Sequence, residues 1–229
     1  MPREGALPRN VRVTGRVELS SGACDLLFFE RSAREAGALR VAGLDEAGRG
    51  PLAGPVVAAA VVFPEGLLIP GVTDSKQVAE GRRERLYTEI TAAAVAYGIG
   101  IVDERTIDEV NILEASIIAM ERALECISPP PDHLLIDGNF TIPRISIPQR
   151  PIVKGDCLSH SIAAASILAK VTRDRLMRDL HERYPQYNFQ KHKGYGTKEH
   201  MELIRLYGPC DAHRKSFQPV AGMLQERQR

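Results

Sequence analysis

The sequence predicts a mixed α/β domain with a helical carboxyl-terminal part. Two observations carry that expectation. Residues 41–44 and 56–63 are short apolar runs rich in valine and alanine, the composition of strands buried on both faces. Stretches of helical periodicity alternate with further short apolar runs and dominate beyond residue 157.

Taken in order, residues 1–39 read as an extension. It is polar at first, with a short helical stretch over 24–35 that Gly37 closes. Residues 41–44 and 56–63 are strands, and the glycines and prolines of 45–55 make the turn between them. Residues 80–95 form a helix with the stripe Leu86, Ile90 and Ala94, although Ala79 is no cap and Gly81 sits in its first turn. Residues 96–102 form another strand. One long helix is expected over 103–127, with the stripe Ile107, Val110, Leu113, Ile117, Met120 and Leu124, ended by Pro129-Pro130-Pro131. Residues 133–136 form a strand closed by Asp137-Gly138-Asn139, and 152–153 another before Lys154-Gly155-Asp156. A long helix over 157–184 turns Ile162, Ala165, Ile167, Leu168 and Leu176 inward, and a last helix covers 198–207.

Bulk properties narrow the function classes. A hydrophobic content of 44% and a charged content of 26% suit a sizeable core in one large domain. The net charge of +1 carries no message as a total, but basic residues gather late, from Lys170 to Lys215. From charge alone the better account is a set of solvated helix faces. Cys24, Cys126, Cys157 and Cys210 lack metal-finger or redox spacing, so reduced thiols and a cytoplasmic location are expected. Neither a signal region nor a run of membrane-spanning length is present, so no membrane partner is expected.

The chemistry gathers in Val-Ala-Gly-Leu-Asp-Glu-Ala-Gly-Arg-Gly-Pro-Leu-Ala-Gly-Pro, residues 41–55. Adjacent acids, Asp45 and Glu46, precede a glycine-flanked arginine, Gly48-Arg49-Gly50. Carboxylates beside a flexible cationic loop suit a polyanion whose phosphate is held through a divalent metal. Asp45 and Asp137 end strands, and Asp156 opens a helix just after one. Acids so placed converge on one edge of a sheet. Such a set holds two ions about 3.5–4 Å apart. Taken singly, each acid is better explained as a turn or cap residue; the set reverses those odds. Neighbours on a regular strand face opposite sides, so a bend near Gly43 or Ala47, or a ligating Glu46 carbonyl, is needed to aim both acids at one site.

Several blocks together resemble ribonuclease HII, the type 2 ribonuclease H family. They are Asp45 to Gly50 with Pro51-Leu52-Ala53-Gly54-Pro55; Asp74-Ser75-Lys76; Leu134-Leu135-Ile136-Asp137-Gly138; and Lys154-Gly155-Asp156 running into Ser161 to Asp174. His192-Lys193-Gly194-Tyr195-Gly196-Thr197 and His213-Arg214-Lys215-Ser216-Phe217 complete the set. The resemblance spans about residues 40–217. It implies a ribonuclease H-like fold with a mixed central sheet flanked by helices, and a type 2 catalytic domain over 40–229. It implies hydrolysis of RNA paired to DNA and incision 5′ of single ribonucleotides in duplex DNA, leaving 3′-hydroxyl and 5′-phosphate ends. Asp45, Glu46, Asp137 and Asp156 become catalytic, metal-binding carboxylates for two Mg²⁺ or Mn²⁺ ions.

For the substrate, the resemblance implies sugar recognition by Gly48, Arg49 and Gly50. Glycines let the main chain approach a 2′-hydroxyl, the atom that marks RNA. Arg49 would clamp the next phosphate with its planar fork. Tyr195 would pack on the neighbouring sugar. Lys76 and Lys170 are further phosphate contacts, with Ser166 and Arg173 weaker ones. His192 stays outside the catalytic set. A monomer acting on nucleic acid is expected, without a clamp-binding peptide, since residues 218–229 lack paired aromatics. Two other readings are weighed: another two-metal nuclease on this fold, in which Tyr195 and the glycine loop would be idle, and a non-catalytic hybrid-binding protein, in which an acid would be missing.

Overall fold

The computed structural model describes residues 25–227; residues 1–24 of the expected extension, Cys24 among them, lie outside this range. Five strands, β1 (Val41–Ala47), β2 (Val56–Val62), β3 (Ala96–Val102), β4 (His133–Asp137) and β5 (Gln149–Ile152), form one sheet in the order β3-β2-β1-β4-β5. β1 runs antiparallel to β2 and parallel to β4; β2–β3 is antiparallel and β4–β5 parallel. The helices are α1 (Phe28–Glu35), α2 (Glu80–Ala93), α3 (Glu104–Val110), α4 (Ile112–Glu125), α5 (His160–Arg183), α6 (Phe189–His192), α7 (Lys198–Tyr207) and α8 (Val220–Arg227). No helix among the described residues is long and apolar enough to cross a membrane.

The sheet is covered on both faces, which is why every residue of β2 is buried. Ala42, Leu44, Val56, Ala58 and Ala60 pack on one face with Ala115, Ala119, Met120 and Ala123 of α4. Val57, Ala59 and Val61 pack on the other with Ala164, Ile167 and Leu168 of α5 and Leu86 and Ile90 of α2. Glycines set two of the approaches. A Cβ on Gly43 would lie 2.2 Å from the Ser161 carbonyl carbon, and one on Gly98 would lie 2.0 Å from the Ala123 carbonyl oxygen. Backbone therefore rests on backbone where α5 crosses β1 and where α4 crosses β3.

The single helix expected over 103–127 is two. Asn111 takes φ +73°, and its side chain accepts from the amides of Leu113 and Glu114, capping α4 as α3 ends. Asparagine tolerates this backbone region and caps well, so it breaks a pattern whose apolar stripe runs straight through it. The helix expected from residue 157 starts instead at His160. Ser159 caps it through a bond from the Ile162 amide, and Gly155–Cys157 forms a separate 3₁₀ turn. The strand expected at 152–153 begins earlier, at Gln149.

α1 accounts for the short helix read in the extension. Its Glu30 carboxylate accepts from the Ser159 hydroxyl (2.6 Å) and from the Ser161 amide (2.9 Å) and hydroxyl (2.7 Å). That ties α1 to the positive end of α5.

Candidate active site

The acids collect at one end of the sheet because β1 outruns its parallel neighbour. Pairing with β4 stops at Leu44↔Ile136, while pairing with β2 continues through Asp45↔Ala59, Glu46↔Ala58 and Ala47↔Val57. The expected bend is absent: β1 is regular through both acids. Asp45 consequently shares the α5 face with Ala59, and Glu46 points to the α4 face with Ala58. Both still border one cleft. The cleft, about 240 Å³, is lined by Asp45, Glu46, Gly48, Arg49, Gly50, Ser75, Lys76, Lys170 and Tyr195.

Asp137 ends β4 in register with Ile152 of β5. Its Oδ1 accepts from the Gly155 amide at 2.7 Å, which draws the turn bearing Asp156 against the strand end. Lys154 before that turn adopts φ +59°. Asp156 is buried, with its carboxylate 4.0 Å from Lys76 Nζ. The Lys76 side chain is 80% exposed, so this pair contributes little to stability.

Burial raises the Asp45 pKa well above the carboxylate range, and repulsion from Glu46, Asp137 and Asp156 adds to it against one bond from the Glu46 amide. Burial likewise raises Glu46, opposed by the Arg49 cation at 3.2 Å. Asp156 is raised by burial and then by Asp137 and Asp74. For Lys76, burial works against the charge, but Asp74, Asp156, Asp45 and Asp137 outweigh it and raise the pKa. Glu46 Oε2 is buried without a hydrogen-bond partner. Crowded carboxylates with an unsatisfied oxygen are the donor set of a hard divalent cation, so these residues fit one.

Asp74 and Cys157 received no role from the sequence. Their ligand atoms and one of Asp156 lie within 4.8 Å of one another. The motif Asp74-Ser75-Lys76 was the available signal, but nothing in it says that Asp74 comes to face Asp156.

The other expected contacts divide. Gly48 opens the loop at φ +103°, Gly50 is exposed, and Tyr195 stands 45% exposed across from it. The Arg49 guanidinium lies 5.8 Å from the centre of the Phe140 ring. Lys170 borders the cleft, bonded to Asp174 at 2.6 Å; burial lowers its pKa although Asp174 opposes that. Ser166 is buried, its hydroxyl accepting from the Ser75 amide (3.2 Å) and donating to the Ala163 carbonyl (3.0 Å), so it supports the turn beneath Lys76. Arg173 is no phosphate contact: it is buried and donates to the carbonyls of Pro55, Lys193 and Ala53, each at 3.0 Å. His192 is structural, with Nε2 2.7 Å from the Tyr187 carbonyl and Nδ1 accepting from the Gly194 amide.

The family model described as Ribonuclease HII matches residues 42–220. The Ribonuclease HII of Geobacillus kaustophilus (strain HTA426) is 54% identical over 200 residues, covering 87% of this chain and 76% of the relative. Among solved structures, the ribonuclease H2 from Pyrococcus horikoshii OT3 superposes with a TM-score of 0.69 at 28% identity, covering 83% of this chain and 100% of that one. The RNase HII in the PCNA:RNase HII complex from Archaeoglobus fulgidus gives 0.68 at 27% identity, covering 79% and 96%.

Proposed function

The chain belongs to the ribonuclease HII family, and from that premise we propose how its cleft divides the work of a metal-dependent endonuclease that hydrolyses RNA in RNA–DNA hybrids. Asp45, Glu46, Asp137 and Asp156 would hold the divalent ions, two of them, Mg²⁺ or Mn²⁺. When bound, such ions supply a nucleophile at neutral pH and neutralise charge at the reacting phosphate. Gly48 and Gly50 bring main-chain groups against the 2′-hydroxyl, and Arg49 clamps the adjacent phosphate. Tyr195 packs on the following sugar, which makes the ribose-to-deoxyribose junction the preferred site. Lys76 and Lys170 meet flanking phosphates, and Ser166 acts at one remove by holding Ser75. The protein works as a monomer, without a clamp tether through residues 218–229.

One observation supports this reading above the others. Asp45 and Glu46, crowded by Asp137 and with Glu46 Oε2 left unsatisfied, line the same cleft as the glycine loop and Tyr195. The test is a duplex DNA containing one ribonucleotide, incubated with Mg²⁺ or Mn²⁺, with the product ends mapped. Incision on the 5′ side, leaving a 3′-hydroxyl and a 5′-phosphate, is expected. No cleavage, or equal cutting of an all-DNA duplex, would overturn it.

A further inference from the structure

Behind the cleft, the two consecutive residues His213 and Arg214 reach opposite halves of the sugar-reading surface. Ala53 and His213 form an isolated antiparallel bridge, where neighbouring side chains point to opposite sides. Main-chain bonds from Gly54 N to Ala212 O and from Arg214 N to Leu52 O, both 2.9 Å, fix the register.

Arg214 is fully buried, and its side chain bonds to main-chain carbonyls. It donates to Gly48 (2.6 Å), to Arg49 (3.0 Å) and twice to Gly54 (3.0 and 2.8 Å). With the Gly48 and Arg49 carbonyls turned inward, that stretch of loop is held in one conformation. Burial, and then the nearby Arg173 cation, push the Arg214 pKa down to about 9, which leaves it charged at neutral pH. A buried cation without a bonded carboxylate is costly, and a planar fork that spans several carbonyls is what a lysine cannot reproduce.

His213 reaches the other half. The Tyr195 carbonyl is 2.9 Å from His200 Nδ1, which must therefore carry the proton. His200 Nε2 then accepts from His213 Nε2 at 3.1 Å, leaving His213 Nδ1 to accept from the Cys210 amide at 3.0 Å. His192 stacks on His200 with ring centres 4.2 Å apart, and its carbonyl takes the Tyr195 amide. Each ring has one consistent neutral tautomer, and all three are buried.

We propose that the pair His213-Arg214 is a positioning element that sets the spacing between the Gly48–Gly50 loop and Tyr195, and so determines specificity for the sugar. This rests on the reading of that loop and Tyr195 given above. Misplacement by about 1 Å of groups that position a substrate can lower rates by about 100-fold, so the spacing has leverage.

The test compares kcat/KM on a duplex with one embedded ribonucleotide and on a long RNA–DNA hybrid, with Tyr195→Ala as reference. Tyr195→Ala should lower the embedded-to-hybrid ratio, and His213→Asn should lower it in the same sense by about tenfold. His213→Gln, whose amide N–H still reaches toward His200 Nε2, should restore most of the ratio. Arg214→Lys should instead lower both substrates together, because the loop meets the ribose in each. Mn²⁺ binding by calorimetry should be the same in all four variants, separating loss of spacing from loss of the acid cluster. If Tyr195→Ala shifts the ratio while His213→Asn does not, or if Asn and Gln behave alike, the positioning role is overturned. If Tyr195→Ala leaves the ratio unchanged, the reading of Tyr195 falls and this inference falls with it. The His213 pair decides the matter even if Arg214→Lys does not fold.

Discussion

Asp45 shows how much a single side chain can hold against its own stability. Burial, and then repulsion from Glu46 and Asp137, raise its carboxyl pKa in the fold, so holding the ionised carboxylate costs folding free energy. The sign follows: stability falls as pH rises past the unfolded value, and removing the charge relieves it. Asp45→Asn should abolish cleavage while raising Tm in EDTA by about 2–4 °C for each ~1 kcal/mol of repulsion removed. Thermal melts with and without EDTA check this, and an Asn variant that melts lower would sink it. The acids stood out in the sequence because Asp45 and Asp137 close short apolar runs and Asp156 follows another. Arg173 and Arg214 were not legible in the same way. Nothing local distinguishes an arginine facing phosphates from one facing buried carbonyls 118 or 166 positions away.

At the scale of elements, the strands and most helices followed from apolar composition and period, since burial on two faces leaves a strong pattern. The misses are where a polar residue overrides the stripe. Asn111 splits α3 from α4, and Ser159 restarts the chain as α5 after the turn that carries Asp156. The regularity of β1 through Glu46 was also unreadable, because it depends on how far β2 extends beside it. Gly43 and Gly98 allow a paired test. Each Ala substitution drives a Cβ into helix backbone, and overpacking of this kind costs about 1–3 kcal/mol. Both variants should melt lower. Gly43→Ala should also reduce kcat, because it moves α5, with Lys170, against the strand bearing Asp45. Gly98→Ala lies on the far edge strand and should spare kcat in the folded protein. Equal effects on kcat would refute this division.

For the whole molecule, three buried histidines set an acid limit. Burial, the largest cause for each, lowers the pKa values of His160, His200 and His213 to about 4. In the unfolded chain each would titrate near 6.5. Between about 6.5 and 4 the unfolded state binds more protons, so stability is complete above that window and falls as pH drops through it. The slope is ~1 kcal/mol per pH unit for each histidine. Urea midpoints measured from pH 7 to pH 5 should decline steadily; a flat profile would contradict it.

The loop over residues 48–55 comes early in the chain, and the side chains that hold its carbonyls come from residues 173 and 214. During synthesis the chain emerges from its amino end, so all four acids leave the ribosome before Arg214 does. On the proposed division of roles, the residues for cutting are therefore encoded before those for choosing. Loop closures spanning more than a hundred residues are also among the slower steps of folding. On the proposed roles, discrimination between sugars waits for Arg214, which is made after all four acids.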